Sequence, residues 1–156
     1  NNPINKLEDI WTISDLKNLI VNEITNENYE IILNNYRIQS DLGEFIDEWD
    51  PYKINSLEDL KNIFKNSGNK FWSDHIIIQL LEKALKINIF IICDSDDFDL
   101  MLYPTMNNNK LYNKSIFLLY IDQIHFQLIG CFYNGVMHTI FDSNKIPKIL
   151  SDLLII

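Results

Sequence analysis

The sequence predicts a single α+β domain spanning residues 1–156, with helices in the first half and strands in the second. Three observations carry that prediction. Apolar residues recur at helical spacing as far as Lys86. From Asn88 onward they come in short strand-length runs separated by Asn, Asp and Gly. The 156 residues are 47% hydrophobic, which suits one core, and neither an internal repeat nor a linker divides them. The expected architecture packs the N-terminal helices on a small, mainly antiparallel sheet built from the C-terminal half.

The elements follow in order. Ser14 reads as the N-cap of a first helix that carries Leu16, Leu19, Ile20 and Ile24. Asn26 or Asn28 caps a second, carrying Ile31, Ile32 and Asn35. The acidic stretch 41–51 reads as a short helix and a loop, because Asp50 precedes a proline. Ser56 with Asp59 is a capping-box-like start for a third helix through Leu57, Leu60, Ile63 and Phe64. Ser73 caps "SDHIIIQLLEKALK", with Asp74 in the first turn and Lys83 and Lys86 in the last, matching the helix dipole.

"NIFIIC" (88–93) is apolar at nearly every position, as in a strand buried on both faces. "LMLYP" (100–104), "SIFLLYI" (115–121), "IHFQLIGCFY" (124–133) and "VMHTIF" (136–141) are the remaining strands, the last two joined by the hairpin signal Asn134-Gly135. A terminal amphipathic helix begins near Ile146, with Pro147 in its first turn.

Composition excludes several functions. A net charge of −9 without a Lys/Arg patch argues against nucleic-acid and anionic-membrane binding. No run approaches the ~20 apolar residues of a membrane span, and Asn1 to Lys6 lack a secretory layout. Two cysteines, Cys93 and Cys131, point to a reducing, cytoplasmic setting rather than a disulfide framework. "CDSDDFD" (93–99) fails the calcium-loop pattern, and the histidines lack zinc spacing, so neither metal nor cofactor is expected. The crowding of Asn and Ile around a single alanine, Ala84, reads as AT-rich coding of a virus, parasite or intracellular bacterium.

The chemistry centres on His125, in "YIDQIHFQLIG" (120–130). Strand alternation puts His125, Gln127, Ile129 and Cys131 on one face and Phe126, Leu128, Gly130 and Phe132 on the other. Gln127 then projects beside the imidazole and could fix its tautomer. The structural alternative is a hydrogen-bonded core histidine. Cys131 is six residues along the same strand, about 20 Å away, too far to serve as the thiol partner. Cys93 reaches His125 only if the two strands are neighbours.

Three segments in order resemble the ovarian-tumour (OTU) family of cysteine deubiquitinases: "DLKNLIVNEI" (15–24), "FWSDHIIIQLLEKALKINIFII" (71–92) and "SIFLLYIDQIHFQLIG" (115–130). Lys17 takes the family's arginine position, and Trp72, Ser73 and Asp74 take that of its Trp-Gly-Asp start. His125 and Phe126 take that of its catalytic His-aromatic pair. The resemblance implies a papain-like thiol protease that cuts ubiquitin or ubiquitin-like proteins from lysine side chains. His125 is then the general base, and Gln127 sits where the family has its orienting residue, with Asp142 or Asn134 as alternatives. Phe126 and Trp72 are the substrate-binding candidates.

The family's Asp-Gly-x-Cys stretch, upstream of its first helix, has no counterpart here. The expectation is a monomeric OTU-like enzyme, N-terminally truncated, whose nucleophile lies outside this chain. The alternatives are an inactive OTU-like module that binds ubiquitin, and an unrelated α+β interaction domain with His125 in its core. Under the first two, the acidic residues Asp41, Glu44, Asp47, Glu48 and Asp50 would line the path of ubiquitin's basic tail.

Overall fold

The computed structural model describes residues 12–44, 49–66, 74–94, 100–102, 112–121 and 125–154. The chain is α+β; among the described residues four α-helices precede a small mixed sheet and a short last helix. It divides into two compact units, Asn1–Ala84 and Leu85–Ile156.

The first unit is helical. α1 (Ile13–Asn22) is capped by Thr12, two residues before the expected Ser14. The Thr12 hydroxyl accepts from the Asp15 N–H at 3.1 Å, and the Asp15 carboxylate accepts from the Thr12 N–H at 2.8 Å. A cap at Ser14 would place Lys17 at the reciprocal position, where no carboxylate closes the box. α2 (Tyr29–Asp41) follows Asn28, whose amide ties the turn by accepting from the Thr25 N–H and donating to the Glu23 carbonyl. Its buried stripe is Ile32, Leu33 and Tyr36, while Ile31 and Asn35 are exposed.

Asp50 is extended, as its proline neighbour requires, and accepts from the Tyr52 N–H at the head of a 3-10 turn, Pro51–Lys53. α3 (Leu57–Asn66) starts on Ser56, whose hydroxyl accepts from the Asp59 N–H; the Asp59 carboxylate reaches back to the Asn55 N–H. α4 (His75–Leu85) is capped by Asp74, which accepts from the Ile76 N–H at 2.8 Å; Ser73, the expected cap, lies outside the described residues. Lys83 pairs with Glu23 at 3.3 Å. The core gathers Ile20, Leu33, Leu60 and Ile76 around Tyr36, whose ring meets Trp49 edge-on at 5.4 Å and Phe64 at 5.9 Å.

The second unit contains β1 (Asn88–Asp94), β2 (Leu100–Leu102), β3 (Lys114–Ile121), β4 (His125–Leu128), β5 (Cys131–Tyr133), β6 (Val136–His138) and β7 (Phe141–Asp142). The larger sheet has the order β2-β1-β3-β4, and β7 pairs with the start of β3. β5 and β6 form a separate hairpin. Its turn has Asn134 at φ 51° and Gly135 at φ 75°, the two left-handed residues that a type I′ turn requires.

Pairing is antiparallel except at the centre, where β1 and β3 run parallel from Asn88↔Ser115 to Cys93↔Tyr120. Residues 89–92 of β1 are all buried, as its unbroken apolar run predicts. Phe90, Ile92, Phe117, Phe141 and Leu150 form the core on one face, with the Phe90 and Phe117 rings stacked at 5.1 Å.

Three expectations are corrected. Residues 125–133 are not one strand: β4 ends at Leu128, the Ile129 N–H makes a last bond to the Phe117 carbonyl at 2.8 Å, and Gly130 leads into another sheet. Residues 136–141 are likewise broken at Thr139 and Ile140. The terminal helix shrinks to α5 (Lys148–Ser151) with a 3-10 turn after it, and Pro147 precedes it as the cap residue.

A polar knot lies at the head of β1. The Asn88 amide donates to the Tyr112 carbonyl at 2.8 Å and to the hydroxyls of Ser115 and Ser143 at 3.0 Å each, and accepts from the Tyr112 N–H. Ser115 and Ser143 bond each other at 2.7 Å. All three side chains are buried, and these partners meet their hydrogen-bonding needs.

Candidate functional site around His125

β4 is an edge strand among the described residues, and that decides the state of His125. The strand pairs with β3 through Ile121↔His125, Tyr120↔Phe126, Leu119↔Gln127 and Leu118↔Leu128. His125, Gln127 and Leu128 are exposed, and Phe126 is half-buried. His125 is therefore not the hydrogen-bonded core histidine of the structural alternative. An apolar strand is buried only if both its neighbours and both its faces are covered; β4 has one partner, so its apolar look does not translate into burial.

His125 and Gln127 share one face of the sheet, through their partners Ile121 and Leu119. Leu119 packs on the Phe90–Phe117 core, so this is the core-bearing face, and His125 and Gln127 lie beyond the core's rim. Among the described residues no hydrogen bond joins the imidazole to the Gln127 amide. Phe126 turns to the other face and stacks on Tyr120, with centroids 4.6 Å apart and planes 20° apart. This stack holds β4 against β3 next to the histidine.

Neither cysteine meets His125. β3 intervenes between β1 and β4, so Cys93 stands two strand spacings away, roughly 10 Å. The register Cys93↔Tyr120↔Phe126 also puts it on the face of Phe126, opposite His125. Cys131 belongs to the hairpin, half-buried against the core. Its cross-strand partner is His138, a juxtaposition that sequence reasoning missed because it needs the hairpin register. The His138 ring lies flat on Tyr133, at 3.8 Å and 9°. Among the described residues no hydrogen bond joins it to the Cys131 thiol.

The two alternative orienting residues are elsewhere. Asp142 and His125 pair with opposite ends of the eight-residue β3, roughly 23 Å apart at ~3.3 Å per residue. The Asp142 carboxylate accepts from the Lys114 ammonium at 2.6 Å, and this hydrogen bond and charge hold it below the usual carboxylate range. Asn134 is a corner of the hairpin turn.

Trp72, the other substrate-binding candidate, lies outside the described residues, as do Asp47, Glu48 and the acid-rich residues 95–99. Asp41 and Asp50 are exposed but locally engaged: Asp41 accepts from the Tyr52 hydroxyl at 2.8 Å, and Asp50 caps the 3-10 turn. No protein-family model, no curated protein and no solved structure matches the chain.

In the helical unit, burial perturbs a carboxyl and a phenol, Asp74 and Tyr36. Burial pushes the Asp74 carboxyl up from its ordinary value, opposed by the Ile76 N–H and by the Tyr36 hydroxyl that faces it. Burial and the neighbouring Asp74 in turn raise the Tyr36 phenol well above its ordinary range. No sequence signal links these residues; Asp74 is legible as a helix start and Tyr36 as a core aromatic. Among the described residues, no group of three His, Cys, Asp or Glu side chains could hold a metal ion, and no helix is long and apolar enough to cross a membrane.

Proposed function

We propose that the chain is an OTU-like, papain-type module directed at ubiquitin or a ubiquitin-like protein. His125 acts as general base for a thiol contributed from outside these 156 residues. The observation that supports this most is the solvent-facing imidazole at the end of edge strand β4, with both cysteines displaced from it. A general base must be open to substrate, and a core histidine is not. Gln127 is on the right face to orient the ring once a substrate excludes water, and Phe126 is the candidate wall of the substrate channel. A non-cleaving ubiquitin-binding module is the second reading, favoured by the same displacement of both thiols.

The test is intact mass after incubation with ubiquitin bearing a C-terminal thiol-reactive group, alongside NMR titration of ubiquitin. The chain alone is expected to form no adduct and to shift the ubiquitin tail resonances, with the shifts lost in Phe126→Ala. An adduct that disappears in Cys93→Ala or Cys131→Ala would overturn the outside nucleophile. Unshifted ubiquitin resonances would overturn both readings.

A further inference from the structure

The chain's acidity is uneven. Residues 1–84 hold 15 of its 22 acidic side chains and 8 of its 13 basic ones. In that acidic unit, α2 exposes three large aliphatic side chains: Ile31 at 64%, Ile38 at 58% and Leu42 at 74%. At 100° per residue they fall within about 40° of one another, a stripe along the face opposite the buried Ile32, Leu33 and Tyr36. Asn35 sits within the stripe and carries no charge.

One edge of the stripe is acidic. Glu30 and Asp41 are exposed along it, with Glu27 just before the helix and Glu44 just after. The opposite edge presents Asn28 and Gln39, both neutral. The helix's one basic residue, Arg37, falls on the acidic edge and is engaged there, donating to the Asn34 side chain at 3.1 Å with its guanidinium over the Tyr52 ring at 5.6 Å.

We infer that this face of α2 is a docking surface for a basic amphipathic helix. The partner has aliphatic residues at helical spacing that cover Ile31, Ile38 and Leu42, and lysines or arginines on one flank that meet Glu27, Glu30 and Asp41. The stripe covers about three turns, so a partner helix of about 12–14 residues fills it. A second copy of this unit brings the same acidic edge and is repelled. The hairpin also exposes apolar side chains, Phe132 at 70% and Met137 at 58%, but residues 123–141 contain no Asp, Glu, Lys or Arg that would define a partner.

The probe is a fluorescein-labelled helical peptide of leucines and lysines, with leucines in one stripe and lysines on one flank. Its control is a permuted peptide of the same composition without a stripe. Anisotropy titrations are expected to show saturable binding of the striped peptide and much weaker binding of the permuted one. Ile31→Asn with Ile38→Asn weakens the striped peptide about tenfold. Glu30→Lys weakens it several-fold and flattens its salt dependence. Both variants change exposed side chains, and hydrogen exchange on the wild-type chain reports protection of α2 independently. Equal binding of the two peptides would reduce the effect to bulk charge and overturn the inference. So would an undiminished double-Asn variant, or no saturable binding at all. His125→Ala leaves this binding unchanged.

Discussion

The two units bury polarity in opposite ways. The helical unit buries a carboxylate, Asp74, with a phenol, Tyr36, facing it. The sheet unit buries an amide and two hydroxyls, Asn88, Ser115 and Ser143, in a fully bonded neutral knot. A neutral knot holds together equally at any moderate pH. A buried carboxyl does not, because its ionisation must be carried by neighbours that were never strong enough to cancel the loss of water. The buried polar cluster of the first unit therefore contains a group that titrates, and that of the second does not.

The largest effect expected belongs to the sheet core. Phe90→Ala is expected to cost the second unit about 3–5 kcal/mol in urea unfolding, since the ring is 1% exposed and stacked on Phe117. Asn88→Ala follows at about 2–3 kcal/mol, because it leaves the part-buried Tyr112 N–H without its acceptor and takes a donor from Ser115 and Ser143, which keep their bond to each other. That loss should be the same at pH 5 and at pH 7, roughly speaking. A loss that changes steeply with pH would break the contrast between the units.

Asp74→Asn is expected to act next, in the helical unit alone. The folded-state pKa of Asp74 is raised, so its stabilising contribution is complete below the ordinary value of 3.8 and is lost as pH rises through the folded value. Asparagine keeps the cap to the Ile76 N–H and cannot ionise. The variant should therefore gain stability over wild type as pH rises from about 4 to 7. Far-UV melts at several pH values measure this, and a constant difference between the two proteins would refute it. The smallest effect is that of His125→Ala, within about 0.5 kcal/mol of wild type because the imidazole is exposed. A larger loss would show that the edge strand depends on a histidine contact.

What was legible in the sequence was local. The β1 run, the Asn134-Gly135 turn and the Ser56–Asp59 start each need only adjacent residues, and the helices-then-strands order needs only their sum. Thr12 was legible too, since Asp15 stands three residues on, but Ser14 drew the reading away. The break at Ile129 and Gly130 had a signal in the glycine, a residue that weakens a strand interior. The exposure of β4 had none: "IHFQLI" looks as apolar as a buried strand, and only the sheet order shows that, among the described residues, β3 is its one neighbour. The parallel β1–β3 pairing, the Tyr36–Asp74 pair and the Asn88 knot join residues 24 to 55 positions apart, and no local pattern encodes them. For the site, the shared face of His125 and Gln127 was readable from strand alternation. The separation of both cysteines from that histidine depended on tertiary register.

The parallel pairing of β1 with β3 has a consequence during synthesis. Asn88 waits for Ser115, and for Ser143 after it, before its amide has these partners; until then only β2 is available to its strand, at the far end, Ile92–Asp94. At about 5–20 residues per second on the ribosome, "NIFIIC" emerges one to several seconds ahead of its parallel partner. For that interval it is a short, uncharged, β-prone segment with both faces bare, the composition that seeds intermolecular strands. The helical unit, whose contacts are mostly near in sequence, is by then able to fold. The nascent chain thus passes through a stage in which a folded acidic head carries a sticky tail, and its repulsive charge is the natural guard against neighbours on the same message.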